Sequence, residues 1–153
     1  MGLSSCEDKD ENNLYNGHEY VDLGLSVKWA TCNVGATKPE AFGDFFAWGE
    51  TSPKNSYTES NYTYSNNPST LPLNKDAASV NMGGKWRMPT KEECQELIEK
   101  CSLEPITQNG VYGYKVIGPN GNFIFFPATG YYSLKTGSRE YEDVCYCWSS
   151  SLR

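Results

Sequence analysis

The sequence is poor in several things that catalysis or nucleic-acid binding requires. It holds one histidine, His18, and only 13 Lys and Arg against 19 Asp and Glu, a net charge of -6. No basic stripe is therefore available to neutralise a phosphate backbone, and nothing would hold the chain to anionic lipid by charge. No window approaches the roughly 18 consecutive apolar residues of a membrane-spanning helix. Gly83-Gly84 lacks the downstream Lys-Ser/Thr of a phosphate-binding loop. There is no internal repeat and no linker that splits the chain, so 153 residues read as one domain able to bury a core.

What is present is aromatic. The hydrophobic fraction is only 38%, yet aromatics make up 14%, with eleven Tyr and four Trp. Each ring buries a large area, so a Tyr- and Trp-rich chain still makes a core, and the polar end of each ring needs a partner. Glu7, Asp8, Asp10 and Glu11, set against Lys9, concentrate the acidic excess in a stretch that reads with its neighbours (7–17) as a disordered tether. From Glu19 the pattern becomes strand-like through Gly35, with Val27, Trp29 and Thr31 at period two. Thr37-Lys38-Pro39-Glu40 opens a turn or short helix, and Phe45-Phe46-Ala47-Trp48 reads as a short buried strand. Residues 51–74 form a long Ser/Asn/Thr/Tyr/Pro stretch, the signature of a functional or mobile loop.

The strongest local signal is a helix over 91–101. Thr90-Lys91-Glu92-Glu93 is a capping box, and Cys94, Leu97, Ile98 and Cys101 fall on one helical face. A hairpin follows, Val111–Ile117 and Phe123–Phe126 around Gly118-Pro119-Asn120-Gly121-Asn122, whose Asn-Gly tolerates positive φ.

No chemistry assembles from these parts. A nucleophile needs a base held by packing within hydrogen-bond reach, and His18 sits beside the tether. Cys94 and Cys101 are roughly 10 Å apart along one helix, too far to bridge. Cys145-Tyr146-Cys147 without a second pair is a weak zinc signal. The cysteines read as small buried hydrophobes. Asp44 and Glu50 do not supply the roughly six to eight oxygens that calcium takes. No cofactor and no metal are expected.

Leu3-Ser4-Ser5-Cys6, followed by the acidic run, resembles the lipobox and export signal of surface lipoproteins of Bacteroides-type bacteria. The resemblance implies lipidation at Cys6 and a basic and apolar leader upstream of Met1. With Cys6 lipidated, five cysteines remain, so at least one thiol stays unpaired within the chain.

Four further blocks occur in order: Tyr20–Gly35, Phe46-Ala47-Trp48-Gly49-Glu50, Gly83–Thr90 and Trp148-Ser149-Ser150-Ser151. Together they resemble the Fibrobacter-major-paralogous-type domains of Bacteroides-group surface proteins. Those domains are similar to the C-type-lectin-like scaffold shared by formylglycine-generating enzymes and the variable proteins of diversity-generating retroelements. The resemblance implies an α+β, C-type-lectin-like fold over 19–153, with small antiparallel sheets, one clear helix and long irregular loops. It implies further chain after Trp148–Ser151, so the domain is expected to be truncated at its C-terminus.

The implied function is a non-catalytic ligand-binding or adhesion domain at the outer membrane or cell surface, with a protein or glycan ligand. It implies no nucleic acid, and membrane contact only through the lipid anchor. A pilus-like structural subunit is the alternative. An oxidase of the formylglycine-generating type would need a copper-binding Cys pair, for which Cys145 and Cys147 are the candidates. The Glu-Pro-Asn and Trp-Asn-Asp motifs of calcium-dependent lectins are absent, since Glu104-Pro105 precedes Ile106. On such a scaffold, ligand contacts are expected from Tyr131, Tyr132, Tyr141 and Tyr146, because Tyr offers a rigid face and a hydroxyl at low entropic cost. Tyr57, Tyr62 and Tyr64 form the rival surface. Trp86 and Trp148 are expected in the core.

Overall fold

The structure, a computed structural model, describes residues 13–141, 143 and 145–151. Cys6 and the acidic run lie outside these residues. The fold is α+β, with small antiparallel sheets and one well-formed helix. Strands β1 (Leu14–Tyr15), β2 (His18–Val21) and β3 (Trp29–Ala30) form the first sheet, and β4 (Ser102–Gln108), β5 (Val111–Ile117) and β6 (Phe123–Pro127) the second. The third is the two-stranded pair β7 (Tyr131–Tyr132) and β8 (Arg139–Glu140). Helices α1 (Ala77–Met82) and α2 (Lys91–Lys100) precede the second sheet. Among the described residues no helix is long and apolar enough to cross a membrane.

Helix α2 forms where the capping box places it. Glu93 N–H donates to Thr90 Oγ1 at 3.2 Å, and Thr90 N–H donates to Glu93 Oε2 at 2.8 Å. Glu93 also takes both terminal nitrogens of Arg87, at 2.6 and 2.8 Å, which ties the helix start to the segment before Pro89. Thr90→Ala is expected to cost about 1 kcal/mol of stability, read as a shift of the urea midpoint at unchanged slope.

The helix face is narrower than its spacing predicts. Leu97 is buried and Cys94 and Cys101 are half-buried, but Ile98 is 67% exposed. One step along a helix turns the side chain by about 100°, which carries Ile98 away from the face that Leu97 buries. That residue packs with Leu23, Val116 and Ile124, flanked by Val21, Leu25, Trp29, Cys101 and Phe126. A second core of Trp48, Tyr64 and Leu71, with Met88 against it, lies elsewhere.

The expected hairpin forms as β5–β6, with Ile117 opposite Phe123 and Gly113 opposite Pro127. The sequence reading lacks its neighbour β4, which pairs Ser102 with Ile117 through Gln108 with Val111. Pro105 obscures it. Proline is tolerated because β4 is an edge strand. Helix α1 is also unanticipated. It is capped by Asp76, which is 1% exposed and accepts from Ser79 N–H (2.9 Å) and Met88 N–H (2.9 Å).

Two further expectations are corrected. Residues 14–17 belong to the domain rather than to a tether: β1 and β2 make a hairpin on Asn16-Gly17, with Tyr15 opposite His18 and both turn residues at positive φ. The Trp86 indole N–H donates to Tyr15 O at 3.0 Å, and His18 meets the Trp86 ring edge-on. Residues 45–48 form no strand, because side chains and a turn occupy their carbonyls. Phe45 O accepts from the Tyr57 hydroxyl, Phe46 O from the Trp148 indole (2.7 Å), Ala47 O from Glu50 N–H (2.9 Å) and Trp48 O from the Tyr62 hydroxyl (2.8 Å). Backbone acceptors met in this way have none to offer a ladder.

The same bonds draw three of the four sequence blocks together. Trp48 Nε1 donates to Ser149 O at 2.9 Å, and Ser150 N–H donates to Pro89 O at 2.8 Å. Trp148 itself is 54% exposed rather than in the core, with its indole N–H bonded to Phe46 O.

Candidate functional site

Strands β7 and β8 are only two residues each, and their alternation sorts the aromatics between two faces. Tyr131 pairs with Glu140, and Tyr132 with Arg139. On one face Tyr131 donates its hydroxyl to Glu140 Oε2 at 2.9 Å, and its ring lies 5.0 Å from that of Tyr146. The Tyr131 hydrogen bond is the leading reason that the Glu140 carboxyl titrates below its usual range. On the other face the Tyr132 ring sits 4.7 Å from Tyr57 and 5.2 Å from Phe45.

Arg139 organises this inner face. Its Nε donates to Thr129 O at 3.0 Å, and its guanidinium carbon stands 4.4 Å from the Phe42 ring, 4.8 Å from Phe45 and 4.4 Å from Tyr141. A planar cation over ring faces is attracted by their quadrupoles, so one arginine fixes three rings drawn from two distant stretches of chain. Tyr141 is 75% exposed even so. Its ring is held on one side and open on the other.

Beside it lies a cleft of about 380 Å³, lined by Phe42, Gly110, Val111, Tyr112, Ala128, Tyr141 and Asp143. Gly110 belongs to the Asn109-Gly110 turn between β4 and β5, both residues at positive φ. Asn109 Nδ2 donates to Glu40 Oε1 at 2.9 Å, joining that turn to the one that carries Phe42. Across the cleft the Tyr114 hydroxyl donates to Asp143 O at 3.0 Å. The rim is thus fixed from three directions.

Comparison with known protein-family models, curated proteins and solved structures finds no match.

The four expected contact tyrosines separate. Tyr141 lines the cleft, Tyr132 packs against Tyr57 and Phe45, and Tyr131 and Tyr146 stack together on the opposite face of β7–β8. In the rival stretch Tyr57 and Tyr64 are buried, at 4% and 7% exposure, and only Tyr62 reaches the surface. Sequence reasoning misses Phe42, Tyr112, Asp143 and Arg139. Tyr112 was legible as a strand residue alternating with Tyr114, but nothing local marks Phe42 as its neighbour.

Burial raises the pKa of Cys32, Cys94, Cys101 and Cys145, the last to about 12. Cys145 is within 3.3 Å of both Phe126 O and Pro127 O, to which its S–H donates. Among the described residues no three His, Cys, Asp or Glu side chains are grouped to hold a metal ion.

Proposed function

We propose that the chain is a non-catalytic ligand-binding or adhesion domain, displayed at the bacterial cell surface on a C-type-lectin-like scaffold of the Fibrobacter-major-paralogous type. One observation carries the reading: the cleft whose wall is the exposed ring of Tyr141, pre-positioned by Arg139. A rigid aromatic face beside a concave surface binds at low ordering cost. A screen of the domain against glycan and protein arrays tests this. Binding is expected to fall about tenfold or more in Tyr141→Ala and to persist in Tyr62→Ala. The reverse pattern would move the site to the 51–74 stretch.

The surface location rests on the lipobox-like Leu3–Cys6 and the acidic residues after it. Expressed behind a native leader, the protein is expected to fractionate with membranes and Cys6→Ala to appear in the soluble fraction. Unchanged membrane partitioning of Cys6→Ala would remove the anchor from the proposal.

A further inference from the structure

We propose that Cys94 and Cys147 are a disulfide pair, oxidised outside the cytoplasm, that staples the C-terminal run of the chain to helix α2. The pairing stands apart from the ligand-binding reading and shares with it only the oxidising surroundings of a surface protein. Both residues are free thiols in the structure. Two anchor points fix where the run lies along the helix. At the start of α2, Ser150 N–H donates to Pro89 O at 2.8 Å, and Lys91 N–H donates to Ser151 Oγ at 3.2 Å. Farther along, Cys145 shares its S–H between Phe126 O and Pro127 O, each at 3.3 Å. Phe126 in turn packs against the cluster that holds Leu97. The chain from 145 to 150 therefore leads from beside the Leu97 cluster back to the helix start. Cys147 lies within that run. Cys94 lies on α2 between Thr90 and Leu97, about one turn from each, and is half-buried.

The two thiols sense each other. Burial first, and the charge of Cys94 second, raise the Cys147 thiol to about 11. The residue as a whole is exposed all the same, so its surroundings are crowded without being sealed, and a small oxidant reaches it. Cys145 is the near rival, since Cys147 adds to the burial that raises its thiol, but its S–H is already given to two carbonyls.

The co-reactant is a disulfide, such as oxidised glutathione or the active-site disulfide of a dithiol oxidase. Cys147 loses its proton, and its thiolate attacks one sulfur of the co-reactant. That S–S bond breaks and expels a thiolate, which takes up a proton. Cys94 then loses its proton and attacks the Cys147 sulfur, forming the protein disulfide and releasing the second thiol. Two electrons and two protons thus leave on the co-reactant. A thiol raised to about 11 is a poor leaving group, so the bond, once made, is reduced slowly. That suits a lasting staple rather than a redox relay. It closes a loop of roughly fifty residues and fixes the run that sets Trp148 against Phe46 and Ser149 against Trp48.

To test this, the full chain is equilibrated with excess oxidised glutathione at about pH 8.5, alkylated in denaturant and mapped by mass spectrometry of its tryptic peptides. The expected product is a reducible cross-link between peptides 92–100 and 140–153. It is expected in wild type and Cys145→Ser, and not in Cys94→Ser or Cys147→Ser. Oxidation is expected to raise the melting temperature of wild type and Cys145→Ser by about 10 °C and to leave the other two variants unmoved. The wild-type map decides by itself if a variant fails to fold. Cys94 still alkylated after oxidation overturns the proposal, as does Cys147 joined to Cys6, to Cys145 or to a second chain. A cross-link that brings no rise in melting temperature overturns the staple.

Discussion

Leu97→Ala is expected to lower the free energy of unfolding by about 2–5 kcal/mol, while Ile98→Ala, one residue on, stays within about 0.5 kcal/mol of wild type. Leu97 is 7% exposed and touches the cluster of Leu23, Val116 and Ile124, of which Leu23 and Val116 are fully buried. Truncating it removes apolar contact and leaves a cavity between helix and sheet that neither element can close alone. Ile98 is 67% exposed and has little burial to lose. Urea denaturation of the two variants reads the difference directly as midpoints at a common slope. Equal losses at both positions would mean that α2 presents a different face to the second sheet.

That pair also shows where sequence periodicity stops. The helix and its cap are local events, decided by Thr90 and Glu93 three residues apart, and they are legible. The hairpin β5–β6 is legible for the same reason, since Asn-Gly chemistry and alternating apolar residues specify it within a short window. Which of two adjacent apolar residues faces the sheet depends on where Leu23 arrives from a distant part of the chain, and spacing along α2 does not contain that.

Residues 45–48 make the point more sharply. Phe45-Phe46-Ala47-Trp48 has the composition of a buried strand, yet three of its four carbonyls are met by side chains of Tyr57, Tyr62 and Trp148. Those partners come from the stretch that reads as a mobile loop and from the far end of the chain. The 51–74 stretch is correspondingly pinned, because its polar residues spend their tyrosines on burial. The tether boundary differs: Asn16-Gly17 is a turn signal of the same kind as Asn109-Gly110, but it lies among polar residues. At the site, Tyr141 is visible in the sequence as one tyrosine among eleven. What distinguishes it is Arg139 lying against both it and Phe42, a contact between segments nearly a hundred residues apart that no motif encodes.

Glu50→Ala is expected to cost about 3 kcal/mol, the lower end of what breaking a buried ion pair removes, because Lys54 keeps some access to water. Glu50 accepts from Thr63 N–H and Thr63 Oγ1, both at 2.7 Å, and from Lys54 Nζ at 2.8 Å, with the second carboxylate oxygen 2.6 Å from the same ammonium. The Glu50 side chain is 6% exposed and that of Lys54 25%. Removing the carboxylate strands a backbone donor and leaves the ammonium with Asn61 O as its remaining partner. Burial alone would raise the Glu50 pKa, but the bonds from Lys54 and Thr63 outweigh it and hold the carboxyl below its usual range. A depressed pKa in the folded state means that this contribution is complete above the unfolded value of about 4.3 and is lost as pH falls through the folded one. The stability gap between wild type and Glu50→Ala is therefore expected to be full at pH 7 and to narrow below about pH 4. Glu50→Gln, which keeps an acceptor for Thr63 but not the charge, should fall between the two. Thermal unfolding of the three proteins across pH 3–7 measures this. A gap that stays constant with pH would show that Glu50 acts by shape and packing, and that the charge opposite Lys54 contributes nothing.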